Sequence, residues 1–111
     1  MIISILINIY IEMIWKSMDL KAKVEKYFEI EKSALEKIHI SVPVDSYLYG
    51  IAKDHMDMIM NYYNDAKYFY NKNDLINAFA SLNYSYGWID SAIRIGLFDG
   101  ESDHRLFTHF R

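Results

Sequence analysis

The stretch that decides the fold is NDLINAFASLNYSYGWIDSAIRIGLFDG, residues 73–100. Read at about 100° of rotation per residue, it predicts one long helix with apolar residues on two roughly opposite sides. The first side carries Leu75, Ala78, Phe79, Leu82, Tyr86, Ile89 and Ile93. The second side carries Tyr84, Trp88 and Ile95. Because a helix that is apolar on both sides is usually covered on both, we expect the first side to build a core and the second to meet something else.

Two further amphipathic helices are predicted upstream, over residues 19–38 and 46–71, with the decisive helix itself over 74–96. Pro43 breaks the helical pattern between the first two, and the very short turn at residues 71–73 folds the last two back on each other. The fold class is therefore all-α, an up-and-down three-helix bundle over residues 18–100. The residues expected inside it are Phe28, Leu35, Ile51, Ile59, Tyr62, Phe69, Phe79, Leu82, Ile89 and Ile93.

Both ends of the chain differ from this bundle. Residues 1–17, MIISILINIYIEMIWKS, are too short an apolar run to span a bilayer, for which about 20 residues are needed. Three interpretations stay open: a start codon set too far upstream, an extra N-terminal helix that covers the bundle, or a membrane-surface anchor. At the other end, residues 101–111 form a tail. It either docks Leu106, Phe107 and Phe110 on the bundle or is disordered.

Composition excludes several classes of function. A chain of 111 residues with a net charge of −3 has no basic stripe, so we expect no nucleic-acid binding. The absence of Cys removes disulfides, thiolate metal sites and Cys nucleophiles, and it suits a reducing cytoplasm. We expect no cofactor, no membrane insertion, and a protein partner or a homo-oligomer.

Residues 64–100 carry a resemblance to a known family. The ordered features are Asp65-Ala66, Tyr68-Phe69, Asp74, Ala78-Phe79-Ala80, Tyr84, Tyr86-Gly87-Trp88-Ile89-Asp90, Arg94 and Gly96-Leu97-Phe98. In these features the chain resembles a small archaeal family, domain of unknown function 357, closely over about a third of its length. The resemblance implies a left-handed three-helix bundle and no reaction. Residues 1–17 have no counterpart in that family.

A polar stripe on the flank of the last helix is the candidate ligand site. It consists of Asn83, Gly87, Asp90 and Arg94. Gly costs a helix interior about 1 kcal/mol relative to Ala, so a neighbouring helix or a bound group should approach Gly87 closely. Asp90 and Arg94 have the spacing of an intrahelical ion pair. In a ligand site, Arg94 would hold an anion and Trp88 would stack on a base.

No catalytic or metal-binding signature is present. His55 lies on the core side of its helix and is expected to be buried and hydrogen-bonded. His104 and His109 are five residues apart, which does not place them on one helical face as a zinc pair would be. The sequence therefore favours a non-catalytic interaction module that pairs through Tyr84, Trp88 and Ile95. The alternative is a small-ligand or nucleotide-binding accessory domain, which requires a concave pocket enclosing Arg94.

Overall fold

A computed structural model describes residues 2–101 of the chain. Helix α1 spans Ile2–Lys37, α2 spans Tyr47–Asn71 and α3 spans Leu75–Arg94. Two short strands, β1 (His39–Ile40) and β2 (Phe98–Asp99), complete the element order α1–β1–α2–α3–β2. The all-α prediction is confirmed, and the three helices lie where the periodicity places them, apart from the N-terminal extent of α1.

Helix α1 begins much earlier than predicted. Residues before Met18 continue the same helix, so no separate N-terminal helix covers the bundle, and that interpretation of residues 1–17 is wrong. The physical reason is that no Gly or Pro occurs before Pro43, which leaves nothing to end the helix upstream.

The α2–α3 turn uses local side-chain chemistry. Asn73 takes a left-handed conformation with φ of 59°, which Asn tolerates better than most residues. Asp74, rather than Asn73, is the N-cap of α3, and one of its carboxylate oxygens accepts a hydrogen bond from the Asn77 backbone amide at 3.3 Å. This turn sends α3 back along α2, so α1 and α3 run parallel and α2 runs antiparallel to both.

Strands β1 and β2 form a small antiparallel clasp that joins the C-terminal ends of α1 and α3. His39 pairs with Asp99 and Ile40 with Phe98, and the Ser41 amide donates to the Leu97 carbonyl at 2.9 Å. Phe98, a residue of β2, is fully buried and packs in the core of the bundle. The sequence predicted only a break in the helical pattern at Pro43, because two-residue strands are too short to show a period.

Alanines occupy much of the deepest core, where the helices come closest. Ala34, Ala52, Ala66, Ala78 and Ala92 are all 0% exposed. Four of the ten predicted core residues are buried: Ile59, Leu82, Ile89 and Ile93. The other six are only partly buried: Phe28, Leu35, Ile51, Tyr62, Phe69 and Phe79. Small side chains fit between closely packed helices, and a three-helix bundle is too thin to enclose the larger ones completely.

The N-terminal half of α1 extends past the other two helices, and we refer to residues 2–18 as the arm. Every residue of the arm is exposed, and the molecule measures 71 Å in its longest dimension. Twelve large apolar side chains of the arm are between 42% and 74% exposed: Ile2, Ile3, Ile5, Leu6, Ile7, Ile9, Tyr10, Ile11, Met13, Ile14, Trp15 and Met18. Across residues 2–101, no helix has the combination of length and apolar character that crossing a membrane requires.

Candidate functional site

The second apolar side of α3 lies partly at the surface and partly in the bundle. Tyr84 and Ile95 are 53% and 61% exposed, whereas Trp88 is half-buried and packs against the core. The Trp88 ring meets the His55 ring edge-on at a centroid distance of 4.9 Å. The prediction of a second side separate from the core therefore holds for Tyr84 and Ile95 only. Helix α2 lies close enough to contact Trp88.

Edge-on aromatic contacts hold these rings in place. Tyr84 meets Tyr62 of α2 at 4.4 Å and Trp88 of its own helix at 6.4 Å between ring centroids. Such contacts contribute about 0.5–1.5 kcal/mol each beyond the area that they bury. His55 was predicted to be buried and hydrogen-bonded; it is only half-buried, and its Nδ1 lies 2.9 Å from the Ile51 carbonyl oxygen. The rings are thus positioned on a rigid support while Tyr84 keeps half its surface in solvent.

A shallow depression of about 320 Å³ lies between these rings and the polar flank of α3. Its lining residues are Asn83, Tyr84, Gly87, Trp88 and Ser91. Among the residues that the structure describes, no atom of a neighbouring element lies within 4 Å of the position that a Cβ of Gly87 would occupy. The expectation that another helix of the bundle approaches Gly87 is therefore wrong. The depression combines members of both predicted residue sets.

The four residues of the predicted ligand flank do not converge on this depression. Asn83 and Gly87 line it, but Asp90 and Arg94 do not. Arg94 is exposed at the last turn of α3, and Asp90 is half-buried. The depression is also open, so it does not enclose Arg94 as the ligand-binding alternative requires. That alternative stays a prediction.

Two parts of the chain itself, its N-terminal residues and its C-terminal tail, are candidates to cover the face of Tyr84, Trp88 and Ile95. Residues 2–17 are all exposed, so they do not lie over it. The predicted docking of Leu106, Phe107 and Phe110, and the two tail histidines, fall in residues 102–111, outside the described part of the chain. Within residues 2–101, no three His, Asp or Glu side chains are grouped so that they could hold a metal ion.

A second feature, buried in the bundle, was not predicted from the sequence. Glu31 of α1 is 1% exposed and hydrogen-bonds through Oε1 to the hydroxyl of Ser85, a fully buried residue of α3. The Ser85 hydroxyl also lies 2.9 Å from the Ile59 carbonyl of α2. These three residues connect all three helices through polar atoms. The second carboxyl oxygen of Glu31 is buried without a hydrogen-bond partner.

The electrostatics of this cluster favour a neutral Glu31. Burial raises the pKa of Glu31 from 4.5 to about 7, and the Ser85 hydrogen bond offsets part of that rise. A protonated Glu31 can donate to Ser85, which leaves the single Ser85 proton free for the Ile59 carbonyl. An ionised Glu31 can only accept a hydrogen bond from the Ser85 hydroxyl. Its second carboxylate oxygen, Oε2, is then a buried charged atom without a hydrogen-bond partner. The pKa of nearby Tyr63 is raised by burial first, then by the charges of Glu31 and Glu29.

The sequence did contain a signal for this cluster. Glu31 lies one helical turn after Tyr27 and Phe28 and one turn before Ala34 and Leu35, on the apolar side of α1. Ser85 likewise lies between Leu82 and Ile89. A polar residue inside an apolar stripe, on each of two helices predicted to pack together, indicates a buried polar pair.

A comparison with protein families finds a match over most of the bundle. The model of DUF357, a protein family of unknown function, matches residues 26–98. The chain therefore belongs to this family. The match begins within α1, after the arm, and ends in the clasp at Phe98. No curated protein and no solved structure matches the chain.

Proposed function

We propose that this member of the DUF357 family is a non-catalytic helical-bundle module of the cytoplasm, which binds a protein partner through Tyr84, Trp88 and Ile95. The observation that carries the proposal is the open floor of the depression at Gly87. Gly lowers helix stability by about 1 kcal/mol relative to Ala, and no neighbouring element of the described chain uses the space that it leaves. A partner helix or loop that packs into the depression would use it.

The exposed side chains beside Gly87 would act as anchors. Complete burial of a large apolar side chain contributes about 1.5–3 kcal/mol, and Tyr84 and Ile95 have just over half of their surface left to bury. Together they would supply about 2–3 kcal/mol, well below the roughly 8 kcal/mol of a micromolar complex. The partner must therefore also contact the surrounding polar residues, as the rims of protein interfaces do.

Matched pairs of variants test this proposal in protein purified from the cells that produce it naturally. Gly87→Ala should fill the floor of the depression and weaken partner binding. Gly50→Ala is the control, because Gly50 lies in α2 and also has open space around its missing Cβ. Tyr84→Glu should abolish binding, and Tyr68→Glu on α2 is its control, because Tyr68 is 60% exposed. Trp88 is a poorer choice, because its half-buried ring also supports the fold.

Native mass spectrometry and light scattering then report which species accompany each variant. The proposal predicts a protein that accompanies the wild type and both controls but neither Gly87→Ala nor Tyr84→Glu. If all variants retain the same associated protein, the interface lies elsewhere. If a small molecule accompanies the chain and is lost on changing Arg94 to Gln, the ligand-binding alternative is correct.

A further inference from the structure

The arm presents an apolar surface that no other part of the described chain covers. All twelve of its large apolar side chains are exposed, at one end of the molecule and away from the depression on α3. We propose that two copies of the chain form a dimer by packing their arms together in antiparallel orientation. This inference concerns a different surface from the one in the proposed function and does not depend on it.

The first support is that the core-facing pattern of α1 continues through the arm. Inside the bundle, the residues that face the core repeat with alternating steps of four and three. They are Leu20, Val24, Tyr27, Glu31, Ala34 and Ile38. The same steps continued upstream reach Ser17, Met13, Tyr10, Leu6 and Ile3, which we call the arm seam. The arm therefore presents the surface of a helix bundle without the helices that would complete it.

The second support is the position of the polar residues of the arm. Ser4, Asn8 and Glu12 recur every four residues and form one stripe. At about 100° per residue, this stripe lies opposite the arm seam. In a helix immersed in lipid, polar side chains would be unfavourable on any side. In a helix that pairs with one other helix, the side away from the partner stays in water, where polar side chains are favourable. The polar side chains of the arm thus lie away from the arm seam, on a side that they share with Ile5, Ile11 and Trp15.

The exposed apolar area of the arm is comparable to that of a small dimer interface. At about 25 cal/mol per Å², the usual burial energy of a large apolar side chain corresponds to about 60–120 Å². At their 42–74% exposure, twelve such side chains present about 400–800 Å². Burial of most of this area approaches the roughly 800 Å² per partner of a standard interface.

The antiparallel orientation follows from the base of the arm. A depression of about 380 Å³ lies there, between the arm and the α2–α3 turn. Its lining residues are Lys16, Ser17, Leu20, Asn73, Asp74, Leu75 and Ile76, and Ile76 is 73% exposed. Antiparallel arms that place Leu6 of one copy opposite Ser17 of the other also place Ile3 opposite Leu20, so the tip of each arm fills this depression in the other copy.

A parallel pair is less favourable. Lys16 and Lys21 flank the seam at the positions that face each other across a parallel two-helix pair, so like charges would meet twice. In the antiparallel pair the neighbours of Lys16 are apolar residues of the other arm. The base depression would also stay empty in a parallel pair, because both tips point away from it.

Sedimentation equilibrium on the full chain tests the dimer. We expect the wild type to be dimeric at micromolar concentration. Leu6→Glu/Tyr10→Glu places charges in the arm seam and should weaken the dimer about 100-fold or more. The matched control is Ser4→Glu/Asn8→Glu, which adds the same charge on the opposite stripe and should leave the dimer intact. Circular dichroism checks that the bundle stays folded in both, as expected for changes outside it.

Disulfide trapping tests the orientation, since the chain contains no Cys of its own. We expect a mixture of Leu6→Cys and Ser17→Cys proteins to form the mixed disulfide in preference to either homodimer, because a disulfide needs Cα atoms within about 7 Å. Preferential cross-linking of Leu6→Cys to itself would overturn the antiparallel arrangement.

Three further outcomes would overturn the dimer itself. The first is a monomeric wild type, whether free or bound to vesicles of phosphatidylcholine and phosphatidylglycerol through its arm. The second is a dimer that survives Leu6→Glu/Tyr10→Glu. The third is an intact mass that begins at Met18 in protein from its natural cells, since the arm would then be absent. Tyr84→Glu should not change the dimer, so failure of this inference is distinguishable from failure of the proposed function.

Discussion

Ionisation of Glu31 should make the stability of this bundle depend on pH near neutrality. Burial raises the pKa of Glu31 from 4.5 to about 7 in the folded chain, whereas the unfolded chain leaves it at its ordinary value. A pKa difference of about 2.5, at about 1.4 kcal/mol per pKa unit, corresponds to about 3 kcal/mol. For a domain of this size that is a large share of the total free energy of unfolding.

The sign of the effect follows from proton linkage. Between pH 4.5 and about 7 the folded chain holds a proton on Glu31 that the unfolded chain has released. The contribution of Glu31 to stability is therefore fully present below pH 4.5, decreases as pH rises, and is lost above about pH 7. Tyr63 does not interfere, because burial and the nearby carboxylates raise its pKa above 10.

Urea unfolding followed by circular dichroism, at fixed low protein concentration and at several pH values from 5 to 8, measures the effect. Glu31→Gln is the informative variant, because a neutral amide can still donate to Ser85 and should remove the pH dependence assigned to Glu31. Glu36→Gln is the control, since Glu36 is exposed on the same helix and loses the same charge. A wild type equally stable across this range, or a Glu31→Gln variant with an unchanged slope, would refute the reasoning.

Three further predictions concern packing and the arm. Leu82→Ala should lower the free energy of unfolding by about 2–5 kcal/mol in urea titrations, because Leu82 is 2% exposed in the core; a loss below half a kcal/mol would mean that the faces of α3 are wrongly assigned. Gly87→Ala should raise the free energy of unfolding by about 0.5–1 kcal/mol in the isolated chain, and destabilisation would show that the space beside it is occupied. Deletion of residues 1–17 should leave the thermal midpoint of the dilute protein nearly unchanged but make it monomeric by light scattering, because the core begins at Leu20. A clear fall in that midpoint would show that the arm supports the bundle.

Periodicity was sufficient to predict the helices and most of the buried side of α3. Leu82, Ile89 and Ile93 share one face by their spacing and are buried. The burial of this face can be predicted without knowing which helix packs against it. The extent of α1 was missed for a different reason. The apolar composition of residues 1–17 suggests a separate segment, although the sequence contains no Gly or Pro there that would end a helix.

Contacts between distant parts of the chain could not be read from spacing. The clasp depends on β1 and β2, which are far apart in sequence and too short for a pattern. The burial of Trp88 depends on how closely α2 approaches it, which the sequence of α3 does not determine. The sequence indicates that Glu31 and Ser85 are each buried, because each interrupts an apolar stripe. It does not indicate that they contact each other, since that depends on the relative position of α1 and α3.

The clasp also determines the order in which the bundle opens. It ties the C-terminal end of α1 to the end of α3 through Ile40 and Phe98, while the part of α1 near Leu20 is held by side-chain packing and by the hydrogen bond from the Tyr70 hydroxyl to Glu25. We therefore expect local opening to start near Leu20 and to proceed toward Ile38. We expect α2 and α3 to stay together, because their short turn limits the entropy that they gain by separating. Amide hydrogen exchange along α1 should therefore become slower from its middle toward the clasp. Because opening exposes Glu31 and lowers its pKa toward the ordinary value, the exchange rates of α1 should also depend on pH.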